Sequence, residues 1–154
     1  MKAHIRHVDG HTMIAKSDSN HWIPLDSGTA SGGTAAANDP FQLFLIGCVG
    51  CTLVDVVDIL RKGRKHPTRI ELNVEADRGE SVPRILRRLF FDYHVDGPDI
   101  SVEVLRRAIE LSLTKYCSAA LSLDCSIVFV ARITLNGEAH EPFEIARDPA
   151  LFGN

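Results

Sequence analysis

The stretch D-P-F-Q-L-F-L-I-G-C-V-G-C-T-L-V-D-V-V-D-I-L-R, Asp39 to Arg61, decides how the rest of the chain is read. Asp39 followed by Pro40 is a helix start, a carboxylate cap and then a residue with fixed φ and no N–H to leave unpaired. Beyond it, apolar residues cover nearly the whole circumference instead of one stripe, which belongs in a core or a membrane. The uninterrupted part, Leu43 to Val54, is too short to span a bilayer, and Asp55 and Asp58 follow it. The reading is therefore a core helix. Gly47 and Gly50 each cost about 1 kcal/mol relative to alanine in a helix, so a close neighbour is expected on that face. Cys48 and Cys51 sit beside them.

Working outward, the 154 residues suffice for one domain with a real core. Apolar residues make up 45% and charged ones 24%, a soluble balance. A net charge of −3 argues against non-specific nucleic-acid binding. The clusters Arg61-Lys62-Arg64-Lys65 and Arg84-Arg87-Arg88 read as solvated faces and helix-end charges. The N-terminus, M-K-A-H-I-R-H-V, alternates and has no apolar signal core. A cytoplasmic protein with no membrane partner is the expectation. In that compartment four cysteines point to thiol chemistry or metal, not to a disulfide scaffold.

Before the helix, residues 1–26 read as three short antiparallel strands: Ala3 to Val8, Thr12 to Lys16 and His21 to Leu25. Turns at Asp9-Gly10 and at Ser17 to Asn20 join them. Residues 27–38 are rich in Gly, Ser, Thr and Ala and are expected to form a mobile loop. Gly28 and Gly33 have phosphate-loop spacing, but Thr34 stands where a lysine is required. After the helix, Ile70, Leu72, Val74 and Ala76 alternate with Arg69, Glu71, Asn73 and Glu75, a strand with one face inward. Leu89, Phe91, Tyr93 and Val95 line a second strand. Ser101 caps a second helix carrying Val104, Leu105, Ile109, Leu111 and Leu113, which runs toward Cys117. Ser118 to Leu123 reads as its continuation or a fresh short helix. Cys125 to Leu135 is β-branched and reads as a central strand. Residues 136–154 are polar with two prolines, a loosely packed tail. The chain is thus one α+β domain, residues 1–154, with antiparallel sheets packed around two central helices.

Taken as residues alone, unpaired cysteines are most often small buried hydrophobes. Cys51 and Cys117 are far apart in sequence, and nothing in the spacing brings them together. P-F-Q-L-F-L-I-G-C-V-G-C-T-L-V-D-V-V-D-I-L, followed much later by A-I-E-L-S-L-T-K-Y-C-S-A-A-L-S-L, nonetheless resembles the OsmC/Ohr superfamily. The likeness is greatest to the YhfA-like branch of OsmC proteins. A-H-I-R-H-V-D-G-H-T at the start and D-I-L-R-K-G-R after the helix fit that branch too. The resemblance runs to about Leu135, and it is the pair of cysteine motifs that makes it specific.

That resemblance implies an intertwined homodimer with two sites at the subunit interface. It also implies a thiol-dependent peroxidase acting on organic hydroperoxides and needing no cofactor. By position, Cys51 is similar to the peroxidatic cysteine and Cys117 to the resolving one. Cys51 would become a sulfenic acid, condense with Cys117 to a disulfide, and be returned by an external dithiol. Cys51 lies mid-helix, beyond reach of the positive helix end, so its thiolate needs a cation. The family commonly supplies an arginine from an N-terminal strand, held by a glutamate just after the proline. Here Phe41 follows Pro40 and Gln42 comes next. The candidate supports are therefore Gln42, Arg6 and Lys16. The rival reading is a non-catalytic dimer holding a small apolar or electrophilic ligand in the interface pocket.

Cys48 and Cys51 have C-x-x-C spacing, but mid-helix they lack the N-terminal placement of a thioredoxin motif. A disulfide between them would be strained. Cys48 is therefore read as structural and Cys125 as core. Cys48, Cys51 and Cys117 with a histidine would make a tetrahedral zinc set, but the histidines are scattered and no metal is expected.

Overall fold

The computed structural model describes residues 1–151. Its packing divides the described residues into two compact units, one up to Gly47 and one from Cys48 onward. The first unit holds strands β1 (Ala3–Asp9), β2 (Thr12–Ser17) and β3 (Ile23–Leu25), antiparallel in that order. Gly10 at φ +52° and Asn20 at φ +61° take the left-handed conformation at the two turns.

Residues 27–38 fold back on one buried carboxylate. Asp26 accepts hydrogen bonds from the amides of Ser27 (2.8 Å), Thr34 (3.0 Å) and Ala36 (3.1 Å) and from the Thr34 hydroxyl. These bonds, the Thr34 hydroxyl first and the Ala36 amide next, pull its pKa down to about 2 against the opposing effect of burial. Gly33 sits where a Cβ would collide with the Ser27 carbonyl oxygen, so only glycine closes this loop.

Helix α1 (Pro40–Lys62) starts as the sequence indicates. Asp39 Oδ1 accepts from the Gln42 amide at 2.8 Å, and Gln42 Oε1 accepts from the Asp39 amide at 3.0 Å, a reciprocal capping box. The expectation of all-round burial is corrected. Within the chain α1 buries only Cys48, Thr52, Val56 and Leu60, one i, i+4 stripe. Phe44, Ile46 and Val54 are 44%, 56% and 62% exposed. The expected close neighbour at Gly47 and Gly50 is also corrected, because among the described residues a Cβ at either meets nothing within 4 Å apart from the adjoining backbone of α1 itself. By length and composition α1 would suffice to cross a membrane, with a mean hydropathy of 2.2.

The second unit is a four-stranded sheet of β4 (Arg69–Arg78), β5 (Leu86–Asp96), β6 (Val128–Leu135) and β7 (Glu138–Glu144), in that order. One pair departs from the antiparallel expectation: β5 and β6 are parallel. The reason is the helical crossover between them, which returns the chain to its starting end. That crossover contains α2 (Val102–Leu111), a π-helical turn at Ser112–Tyr116 and the single-turn α3 (Ser118–Leu121). Ser101 caps α2, and Leu105, Ala108 and Ile109 form its buried face. Leu89, Phe91, Tyr93 and Val95 are all buried with Phe129, Ala131 and Ile133 of β6.

The loosely packed tail is corrected over β7. Asn136 (φ +50°) and Gly137 (φ +83°) form a tight two-residue turn of the kind that twists with its strands. β7 then pairs with β6 and buries Phe143, with Ile145 buried just beyond it. Residues 152–154 of that expectation lie outside the described residues.

Candidate functional site

Two elements of the second unit carry the site. On α1, Cys51 and Asp55 are one turn apart and share a face. Cys117 comes from the end of the crossover helix. The π-helical turn closes with the Cys117 amide donating to the Ser112 carbonyl at 2.8 Å. It inserts one residue into the helical register before the chain leaves it, at φ −71°, ψ 99°. Such inserted turns recur at functional sites because they re-aim the next side chain.

The sulfurs of Cys51 and Cys117 and a carboxylate oxygen of Asp55 lie within 4.8 Å of one another. All four cysteines are free thiols. Cys117 is fully buried. Its sulfur accepts the Ala120 amide at 3.4 Å and lies 3.3 Å from the Thr52 hydroxyl. Burial pushes this thiol above its ordinary range; Thr52 and the Ala120 amide pull it back, and Cys51 pushes it up again. Asp55, half-buried, is oriented by the buried Ser112 hydroxyl at 3.2 Å from Oδ2, and that hydroxyl also reaches the Thr52 carbonyl at 3.3 Å. The Tyr93 hydroxyl, from β5, is fully buried with no hydrogen-bond partner among the described residues. Burial raises its pKa, and the neighbouring charges of Cys117 and Asp55 raise it further. Asp55 also lines an open cleft of about 370 Å³ with Asp58, Ile59, Lys62, Leu111 and Tyr116.

A sequence model of the family described as OsmC-like protein matches residues 32–131. The protein YhfA of Escherichia coli K12 is 33% identical over 127 residues, 82% of this chain and 92% of that protein. The chain belongs to the OsmC-like protein family. An OsmC-like protein from Mycoplasma pneumoniae shares the fold at TM-score 0.74 and 19% identity, over 87% of this chain and 95% of that one. A putative organic hydroperoxide resistance protein from Vibrio cholerae, solved with captopril in one of its active sites, is similar at TM-score 0.66. It is 15% identical over 91% of this chain and 94% of that one. α1 is thus a helix of an OsmC-like fold.

Of the cysteines in this OsmC-like protein, Cys51 and Cys117 are brought together. Cys48 is buried, and burial followed by the neighbouring Cys51 raises its pKa. Cys125 departs from the core expectation: it is half-buried in the turn before β6. Gln42 serves the helix cap. Lys16 donates to Asn20 Oδ1 at 2.6 Å and lies 4.8 Å over the Trp22 ring. Arg6 is exposed on β1 opposite Ile14. The sequence reading named neither Thr52 nor Ser112. Their signal was faint: a hydroxyl next to one cysteine, and a hydroxyl five residues before the other.

Proposed function

We propose that this OsmC-like protein is a thiol peroxidase for organic hydroperoxides. The observation that carries the reading is the closeness of the Cys51 and Cys117 sulfurs, both unbonded, in a fold shared with proteins named organic hydroperoxide resistance proteins. The Cys51 thiolate attacks the terminal peroxide oxygen, the O–O bond breaks, and the alkoxide leaves with a proton as an alcohol. Cys51 is then a sulfenic acid. The Cys117 thiol attacks its sulfur, water leaves, and a Cys51–Cys117 disulfide forms. An external dithiol reduces it. Asp55 lies at a distance from which one intervening water relays the thiol proton. Ile59, Leu111 and Tyr116 of the adjoining cleft suit an alkyl chain.

In this reading the protein works in the cytoplasm as an intertwined homodimer, the second copy covering the exposed apolar face of α1. Arg6 and Lys16 are the candidate thiolate supports, with Gln42 beside the helix start. The carboxylate in the cluster, where a cation suits a thiolate better, favours one second reading: a non-catalytic dimer that binds a small apolar or electrophilic ligand.

Thiol counting after one equivalent of cumene hydroperoxide separates the two. The peroxidase loses two thiols per chain, and Cys51→Ser abolishes the loss. Cys117→Ser traps a sulfenic acid at Cys51 that dimedone labels. Unchanged thiols in the wild type support the binder.

A further inference from the structure

We propose that Cys51, Cys117 and Asp55 form a binding site for a thiophilic divalent metal ion, with zinc as its natural occupant. Two sulfurs and a carboxylate oxygen already lie within 4.8 Å of one another. Zinc binds sulfur at about 2.3 Å and carboxylate oxygen at about 2.0–2.2 Å, so tetrahedral ligands stand roughly 3.5–3.8 Å apart. Closing the cluster takes side-chain movements of at most about 1 Å. Sulfur donors exclude magnesium and calcium and select zinc or softer ions.

Two further observations point the same way. The first is the set of groups that orient the ligands: the Ser112 hydroxyl on Asp55, and the Ala120 amide and Thr52 hydroxyl on Cys117. Metal ligands depend on such partners for direction and basicity. The second is the Tyr93 hydroxyl, fully buried and unpartnered among the described residues, with Cys117 and Asp55 as its neighbouring charges. A three-ligand site leaves its fourth position open to water, the kind of group that an unpartnered buried hydroxyl takes as its partner. With both thiols ionised the cluster carries three negative charges, and a dication offsets two of them. The exchange balances as two thiols plus one dication giving the complex and two released protons.

The site stands apart from the peroxidase reading; only one consequence rests on that reading. Bound metal occupies both sulfurs, so zinc occupancy and hydroperoxide reduction exclude each other, and a Cys51–Cys117 disulfide ejects the metal.

The test uses the reduced, metal-free full chain, titrated with Zn²⁺ against a chromophoric chelator and separately with Co²⁺. The expected result is one zinc per chain and the intense visible bands of tetrahedral thiolate-bound cobalt. Cys51→Ser and Cys117→Ser lose both signals, while Cys48→Ser and Cys125→Ser keep them. Ser112→Ala weakens zinc about 10–100-fold. Should Cys117→Ser fail to fold by circular dichroism, Asp55→Asn takes its place, with weaker zinc and altered cobalt bands expected. Zinc binding that survives Cys117→Ser or Asp55→Asn unchanged, or no binding in the wild type, overturns the site. A protein that consumes hydroperoxide yet takes no zinc loses the metal site alone. One that takes zinc through these groups yet keeps its thiols under hydroperoxide loses the peroxidase reading alone.

Discussion

Arg147→Ala should destabilise the protein by about 3 kcal/mol and loosen the turn that holds Cys117. The guanidinium donates through Nη1 to the carbonyls of Asp124 (2.6 Å) and Ile127 (3.4 Å). Through Nη2 it donates to those of Leu123 (2.6 Å) and Ala120 (3.1 Å). Its carbon also lies 4.3 Å over the Phe129 ring. Net hydrogen bonds from a charged donor contribute about 1.5–3 kcal/mol each. Four contacts on one half-buried group do not add, so the two short ones at the low end of that range set the figure. The ring contact adds about 0.5–1 kcal/mol, and water reaching the freed carbonyls subtracts a similar amount. For a chain of this size, 3 kcal/mol lowers Tm by roughly 6–12 °C. Lysine offers one point of donation instead of a fork, so Arg147→Lys should recover only about 1 kcal/mol. Because Ala120 both accepts from Arg147 and donates its amide to the Cys117 sulfur, Cys117 should alkylate faster in the alanine variant. Urea unfolding and timed alkylation with mass mapping measure both effects. A loss under 1 kcal/mol, or a lysine variant as stable as wild type, refutes the clamp.

Three other outcomes follow from named groups. The Asp26 carboxylate has its pKa lowered to about 2 in the folded state, against an unfolded value near 3.9. It therefore stabilises the fold above the unfolded value, and that contribution fades as pH falls through about 2. Asp26→Asn should flatten the acid limb of the stability curve between those values and expose residues 27–38 to proteolysis; an unchanged acid limb counts against the network. Val54 is 62% exposed, so Val54→Glu in a monomer should change stability by less than about 0.5 kcal/mol. In the proposed dimer the same change buries a charge and should split it, and light scattering that finds a 16.9 kDa wild-type species removes the dimer. Tyr93→Phe deletes a buried hydroxyl with no partner among the described residues and should stabilise the metal-free protein by about 1 kcal/mol. A loss of that size instead shows that the hydroxyl is bonded.

Where periodicity was strong, the sequence was legible. β4 and the buried face of β5 follow the alternation residue for residue, because one covered face dictates a period of two. β7 was missed for the opposite reason. Glu138, His140, Glu141 and Pro142 mask any alternation, and only Phe143 signals a buried face. Yet Asn136-Gly137 is the dipeptide that a two-residue hairpin demands, and it outweighed composition. For residues 27–38, low complexity suggested mobility, while one carboxylate with four donors organises the segment. Asp26 is a single residue, and its partners are mostly backbone amides, which no side-chain pattern reports.

The site divides along the same line between local and distant geometry. That Cys51 and Asp55 share a face follows from helical spacing alone, so a carboxylate beside the thiol was open to inference from the sequence. The arrival of Cys117 was not. It depends on a parallel crossover between β5 and β6 and on the inserted residue of the π-helical turn. An uninterrupted α-helix through Ser112–Tyr116 would point residue 117 about 100° away around the axis. The hydroxyls of Thr52 and Ser112 then lie between the two elements and lock α1 to the crossover at the level of the sulfurs. The chemistry of the pair is therefore set by the join between elements, and a change that restores regular helix there should separate the thiols without touching either cysteine.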